Sequence, residues 1–174
     1  EIHHTVGSIY ERMHRFDEAA AAYGNYVNLL PNKDRSEKAA WSRAEIRFLR
    51  SFAGKVPFEI EDGGEDRLYT VDFKLVNEKV TVPVRINGGG LMDVVVDTGS
   101  EQTVLSRPTA ERLGVRPITY TLSAGVGEMG LRGLQLARLD SLEIGALKIR
   151  HLPCLIKNPP LRGLPTREGE SFSP

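Results

Sequence analysis

The sequence predicts an α+β chain, with a helical N-terminal third followed by an all-β region that carries the candidate chemistry. Three observations predict it. From Glu1 to about Ala53 apolar residues return every three or four positions with few glycines or prolines inside the runs. From Tyr69 onward the apolar residues alternate with a period of two. Between the two patterns, residues 54–66 hold Pro57 and the polar run Glu61-Asp62-Gly63-Gly64-Glu65-Asp66, which reads as a linker.

Bulk composition sets limits on this reading. A chain of 174 residues holds one domain or two small ones. Its 40% hydrophobic and 26% charged residues are the balance of a globular protein able to bury a core. Lysine plus arginine and aspartate plus glutamate both total 23, so no net field draws the chain to nucleic acid or an anionic membrane. The single Cys154 can form no intramolecular disulfide, which leaves the compartment open. No apolar run reaches the roughly 20 residues needed to span a bilayer. Because the first residue is Glu1 rather than methionine, the chain is expected to be a piece of a longer protein.

In the helical third, Ile9, Tyr10, Met13 and Phe16 form one apolar stripe. Ala19, Ala20, Tyr23, Tyr26, Val27, Leu29 and Leu30 form the next, which Pro31 stops. A short turn near Phe16-Asp17 separates them, with Asp17 as the expected N-cap. A third helix is expected from Arg35 or Ser36 to Phe52, carrying Ala40, Trp41, Ala44, Ile46, Phe48 and Leu49. At tetratricopeptide offsets the chain holds His3, Val6-Gly7, Tyr10, Ala19, Tyr23 and Pro31, so this stretch resembles a tetratricopeptide repeat. Only His3 is a clear departure. Gly7 and Ala19 or Ala20 are expected where two antiparallel helices approach closely. An unrelated helical hairpin with the same packing is the alternative. The resemblance implies that residues 1–53 bind a protein partner, that the third helix caps an array, and that further repeats precede Glu1.

Beyond the linker, Tyr69 to Leu75, Val80 to Ile86 and Met92 to Val96 read as strands. Asn77-Glu78 and Asn87-Gly88-Gly89-Gly90 are the expected turns between them. The latter lacks the Lys-Ser or Lys-Thr of a phosphate loop. Further strands are expected at Ile118 to Ser123, Leu131 to Leu139, Leu142 to Ile144 and Leu147 to Leu155. A short helix, Pro108 to Leu113, is ended by Gly114. His3, His4, His14 and His151 have no metal-ligand spacing and only one cysteine to join them, so no metal or other cofactor is expected. Trp41 reads as helix packing, and Cys154, within Leu152-Pro153-Cys154-Leu155-Ile156, reads as a small buried apolar residue.

The central segment is Val94-Val95-Val96-Asp97-Thr98-Gly99-Ser100-Glu101-Gln102-Thr103-Val104-Leu105. A β-branched strand runs into an acid, a hydroxyl and a glycine, then into a second apolar strand. That layout is expected to hold a carboxylate at a tight turn rather than leave it solvated. An Asp-Thr-Gly turn is also common as plain structure, the aspartate bonding its own backbone and the glycine taking positive φ.

From about Val80 to Lys157 the chain resembles the retropepsin-like aspartic proteases: the Asp97-Thr98-Gly99-Ser100 turn, the short helix, the glycine-rich segment Ser123 to Gly130 and the later strands follow in that order. The resemblance implies an all-β acid-protease barrel over residues 67–157. It implies Asp97 as the catalytic carboxylate, supported by Thr98, Gly99 and Ser100. Glu101, Gly125, Val126 and Gly127 become substrate contacts, the last three on a flap that closes over a peptide. The chemistry needs two carboxylates about 3 Å apart sharing one proton. One Asp-Thr-Gly turn supplies one carboxylate, so a homodimer is implied. Residues 158–174, rich in proline, glycine and charge, are not expected to supply the closing apolar-apolar-Gly strand of the family, so the barrel is expected to be incomplete at the C-terminus. Two functions remain open: a peptidase acting on protein or peptide, or a binding scaffold whose β-domain only dimerises or holds peptides.

Overall fold

A computed structural model describes residues 1–61, 67–100, 102–122 and 133–157. The chain divides into two compact units, one of Glu1–Pro57 with Pro117–Ala137, the other of Phe58–Arg116 with Arg138–Pro174. Among the described residues no helix is long and apolar enough to cross a membrane.

The first unit is built on α1 (Ile2–Arg12), α2 (Phe16–Leu29) and α3 (Glu37–Arg50). Helix α1 packs on α2 and α2 on α3. Ser36 caps α3, its side chain accepting the Ala39 N–H at 3.4 Å. The N-cap of α2 is Arg15 without a side-chain bond, not Asp17; Asp17 and Glu18 instead sit in the first turn, where their charge complements the helix dipole. Ile9 and Met13 are exposed, so the buried face of α1 is set by Gly7 and not by the apolar stripe. Leu29 is exposed too. Buried Ala19, Ala20, Tyr23, Ala39, Phe48, Leu49 and Phe52 form the core of this unit. Phe52 receives Phe16 and Phe48 edge-on, with ring centres 4.8 and 5.3 Å away. Trp41 packs on His4 and Tyr23.

The same unit contains β6 (Pro117–Leu122), which lies against α3 and pairs antiparallel with the first residues of β7 (Gly133–Ile144). A register shift between Pro117 and Thr119 marks a bulge. From Gly133 on, the two strands expected at 131–139 and 142–144 are thus one continuous strand, residues 131 and 132 lying outside the described residues.

The second unit holds β1 (Glu59–Glu61), β2 (Lys74–Val76), β3 (Lys79–Ile86), β4 (Met92–Val95), β5 (Thr103–Ser106), α4 (Arg107–Arg112), the rest of β7, and β8 (Leu147–Lys157). Strand β3 takes β4 on one edge, and on the other β2 and then β7, all antiparallel. Strand β8 pairs antiparallel with β1 over Lys148–Arg150 and parallel with β5 over Cys154–Lys157. His151, at φ 55, stands between those two stretches. The strand path β1-β8-β7-β3-β2 does not return on itself, so the sheet is not closed among the described residues.

Three local outcomes differ from the sequence reading. Residues 69–73 form no strand, leaving β2 with three residues. Strand β1 arises inside the expected linker, held by ion pairs from Glu61 to Lys148 and Arg150. Val96 falls just beyond β4. The turns follow the reading: Asn77, Glu78, Asn87 and Gly88 all take left-handed φ, which suits the twist of two-residue hairpin turns. Gly114, at φ 67, ends α4. Val84, Ile86, Leu105, Leu139, Cys154 and Ile156 form the buried core of this unit.

Candidate active site

Strand β4 delivers Asp97, and β5 leaves it six residues later. Valines at 94 and 95 favour an extended strand because two branches at Cβ pack well on a pleated surface. Their register against Val82 and Thr81 of β3 fixes where the strand ends. On the far side, Thr103 to Ser106 lie in parallel register with Cys154 to Lys157, so both limbs of the turn are anchored in one sheet.

Within the turn, Asp97 Oδ1 accepts the Gly99 N–H at 3.0 Å. The Asp97 carbonyl accepts the Ser100 N–H at 3.2 Å. This double closure holds the carboxylate with one oxygen engaged, and among the described residues nothing holds Oδ2. Gly99 is not in the left-handed region. Its requirement is space: a Cβ there would sit 3.3 Å from Asp97 Oδ1. Ser100 donates to the Gln102 carbonyl at 2.8 Å, bracing the exit of the turn rather than the carboxylate.

Asp97, Thr98, Gly99 and Ser100 are all exposed. The expectation of a carboxylate held rather than solvated is therefore half met: it is held, and it is solvated. Burial here would need cover that the described residues of one chain do not supply. Glu101, Gly125, Val126 and Gly127 lie outside the described residues, as do the tail 158–174 and residues 62–66 of the linker. The described residues do not cluster His, Cys, Asp and Glu into a metal site.

Cys154 is fully buried on β8 opposite Thr103, and burial pushes its thiol up to about 12, so it is inert at neutral pH. Sequence reasoning missed one cluster in the helical unit. Buried Tyr23 donates its hydroxyl to Glu11 Oε2 at 2.8 Å, and buried Glu45 bonds to Glu11 as well. Glu45 occupies an inward position on α3, and the clue was an acid on the same helix face as Ser42 and Leu49.

A family model described as aspartyl protease matches residues 82–169, half of the chain. No sequence among curated proteins matches. Among solved structures, a retropepsin-like aspartic protease from Rickettsia conorii is similar at 17% identity and a TM-score of 0.41, over 55% of this chain and 77% of its own.

Proposed function

The chain belongs to the aspartyl protease family, and from that premise we propose that it is an aspartic endopeptidase of the retropepsin type, working through an Asp97 dyad formed between two copies. The observation that carries the proposal is the Asp97 turn inside the matched residues. Its carboxylate is fixed through Oδ1 by the Gly99 N–H, while no described residue bonds Oδ2. Such a group is oriented without being used up by internal bonds.

Two such carboxylates about 3 Å apart share one proton, because a second charge at that distance is too costly. The ionised member takes a proton from a water, whose oxygen attacks the peptide carbonyl carbon. The protonated member donates to the carbonyl oxygen. The proton taken from the water then passes to the amide nitrogen and the C–N bond breaks, while a hydroxyl of the tetrahedral diol returns its proton to the other carboxylate, so that the pair again shares one. Turnover is best at mildly acidic pH, where the pair holds one proton. Thr98, Gly99 and Ser100 shape the turn, and Glu101, Gly125, Val126 and Gly127 contact the peptide. Helices α1 to α3, outside the matched residues, hold a protein partner in this reading.

The test is Asp97→Asn in the full-length protein. The fold is expected to persist and peptide hydrolysis to vanish. Undiminished hydrolysis would overturn the assignment, and a parent protein that binds peptides without cleaving them favours the scaffold reading.

A further inference from the structure

Strand β6 stands on a different footing from the strands around Asp97. It pairs antiparallel with the start of β7, Thr119 opposite Leu136 and Tyr120 opposite Gln135. Among the described residues β7 is its one strand neighbour. Its other support is a helix, since α3 lies against it. The β6 ladder and helices α1 to α3 fall in one compact unit, Glu1–Pro57 with Pro117–Ala137, whereas β3, β4 and β5 belong to the other. A pair of strands is marginal by itself in water, and packing on a helix is one way to hold it.

Burial agrees on both partners. Thr119 and Leu136 share one face of the ladder and are 3% and 5% exposed, while Tyr120 on the opposite face is 62% exposed. On α3, Trp41 and Phe48 are engaged by rings of the bundle, Trp41 with His4 and Tyr23 and Phe48 with Phe52. Ala39, Ser42, Ile46 and Leu49 lie about 130° further round the helix, and all four are buried or half-buried. A helix serving one neighbour buries a single stripe. The broad buried arc of α3 fits its two neighbours, α2 and β6. Beyond Ala137, β7 runs on without a break to Leu142–Ile144, which pair with β3.

We infer that α3 is the support that holds the β6–β7 pair in place, so that the helices regulate how tightly a peptide substrate is bound. The inference rests on the catalytic reading above, in which residues between these two strands contact the peptide. Their ordering is part of the free energy of peptide binding. Whatever steadies α3 therefore strengthens binding, and whatever loosens α3 weakens it. By linkage a bound peptide steadies α3 in return, to the same degree.

The experiment is native-state hydrogen exchange across a urea series on the full-length protein, joined to steady-state kinetics on a peptide that it cleaves. The amides of β6 are expected to open together with those of α3, on one urea dependence, and those of β3 and β4 separately from both. Leu49→Ala opens a cavity at a fully buried position of α3. It is expected to lower protection in α3 and β6 together by about 30-fold or more and to leave β3 and β4 unchanged. Its KM is expected to rise with kcat nearly constant. The same peptide, held at saturation on Asp97→Asn, is expected to raise protection in α3 by about fivefold or more. Amides of β6 that open with β3 and β4 instead of α3 overturn the inference. So does a Leu49→Ala that loosens α3 alone, or a peptide that binds Asp97→Asn and leaves α3 unchanged. Should Leu49→Ala fail to fold, the urea series on the parent and the peptide arm decide. Hydrolysis that survives in Asp97→Asn sinks the dyad, whereas the joint opening of α3 and β6 stands or falls on the exchange curves.

Discussion

Gly7 of α1 lies against the ring of Tyr23 on α2, so closely that a Cβ at position 7 would fall 2.7 Å from both Cδ1 and Cε1. Tyr23 is 1% exposed, and its ring has nowhere to retreat. Gly7→Ala gains up to about 1 kcal/mol of helix propensity. It also forces an overpacked contact that costs about 1 to 3 kcal/mol. The expected net effect is a loss of stability, read as a lower urea midpoint by circular dichroism. A midpoint at or above that of the parent means that the two helices separate without cost.

Asn87 makes a second long-range attachment. Its Oδ1 accepts the Asp140 and Ser141 N–H groups at 2.8 and 3.1 Å, and its own N–H donates to the Ser141 carbonyl at 3.0 Å. It also holds φ 51. Asn87→Ala leaves two strand N–H groups without their acceptor and places alanine in a left-handed conformation. A loss of about 1 to 3 kcal/mol is expected from the side-chain bonds. Amide exchange at Asp140 and Ser141 is the local check: protection there should drop before that of Leu139.

How much of this was readable beforehand depended on whether a feature was local. The Asn87-Gly88 turn and the end of α4 at Gly114 follow from backbone preferences of single residues, and the sequence displays them directly. A close approach of α1 and α2 at Gly7 was legible for the same reason, since only a missing side chain permits it, but that the ring of Tyr23 fills the space was not. Strand β1 was not, because Glu59, Ile60 and Glu61 gain their order from Arg150, Ile149 and Lys148, nearly 90 residues away. At the site, the position of Asp97 and its Gly99 bond were legible from the turn chemistry. The exposure of that carboxylate was not, since flanking valines suggest burial while cover depends on what stands opposite.

Gly99 yields a prediction about catalysis rather than stability. Because its backbone is not left-handed, alanine fits the conformation, and the only conflict is the 3.3 Å approach of its Cβ to Asp97 Oδ1. Relief of that contact turns the carboxylate away from its bond to the residue 99 N–H. If the dyad is the catalytic device, a displacement of this kind lowers kcat by roughly 100-fold with little change in KM. Steady-state kinetics on a peptide substrate, with thermal unfolding as the control for folding, provide the check. An unchanged kcat would mean that the Oδ1 bond does not position the acid.

The helical unit should respond to pH through Glu45. Burial first, and the neighbouring Glu11 carboxylate second, push the Glu45 carboxyl up to about 8. The groups facing it are Glu11 on α1 and Tyr23 on α2, the latter also bonded to Ser8. On α3 itself is Ser42, whose hydroxyl is buried without a partner. In the unfolded chain Glu45 titrates near 4.5, its ordinary value. Its folded value is higher, so the folded state binds the proton more tightly. Its contribution to stability is complete below about 4.5 and is lost as pH rises toward and through about 8. Thermal unfolding followed at 222 nm should therefore show the helical unit melting progressively lower from pH 5 to pH 8.5. Glu45→Gln keeps the shape and a hydrogen-bond donor without the titration, and is expected to flatten that decline. A parent whose melting is independent of pH across this range would mean that Glu45 ionises freely, with water reaching the cluster among the three helices.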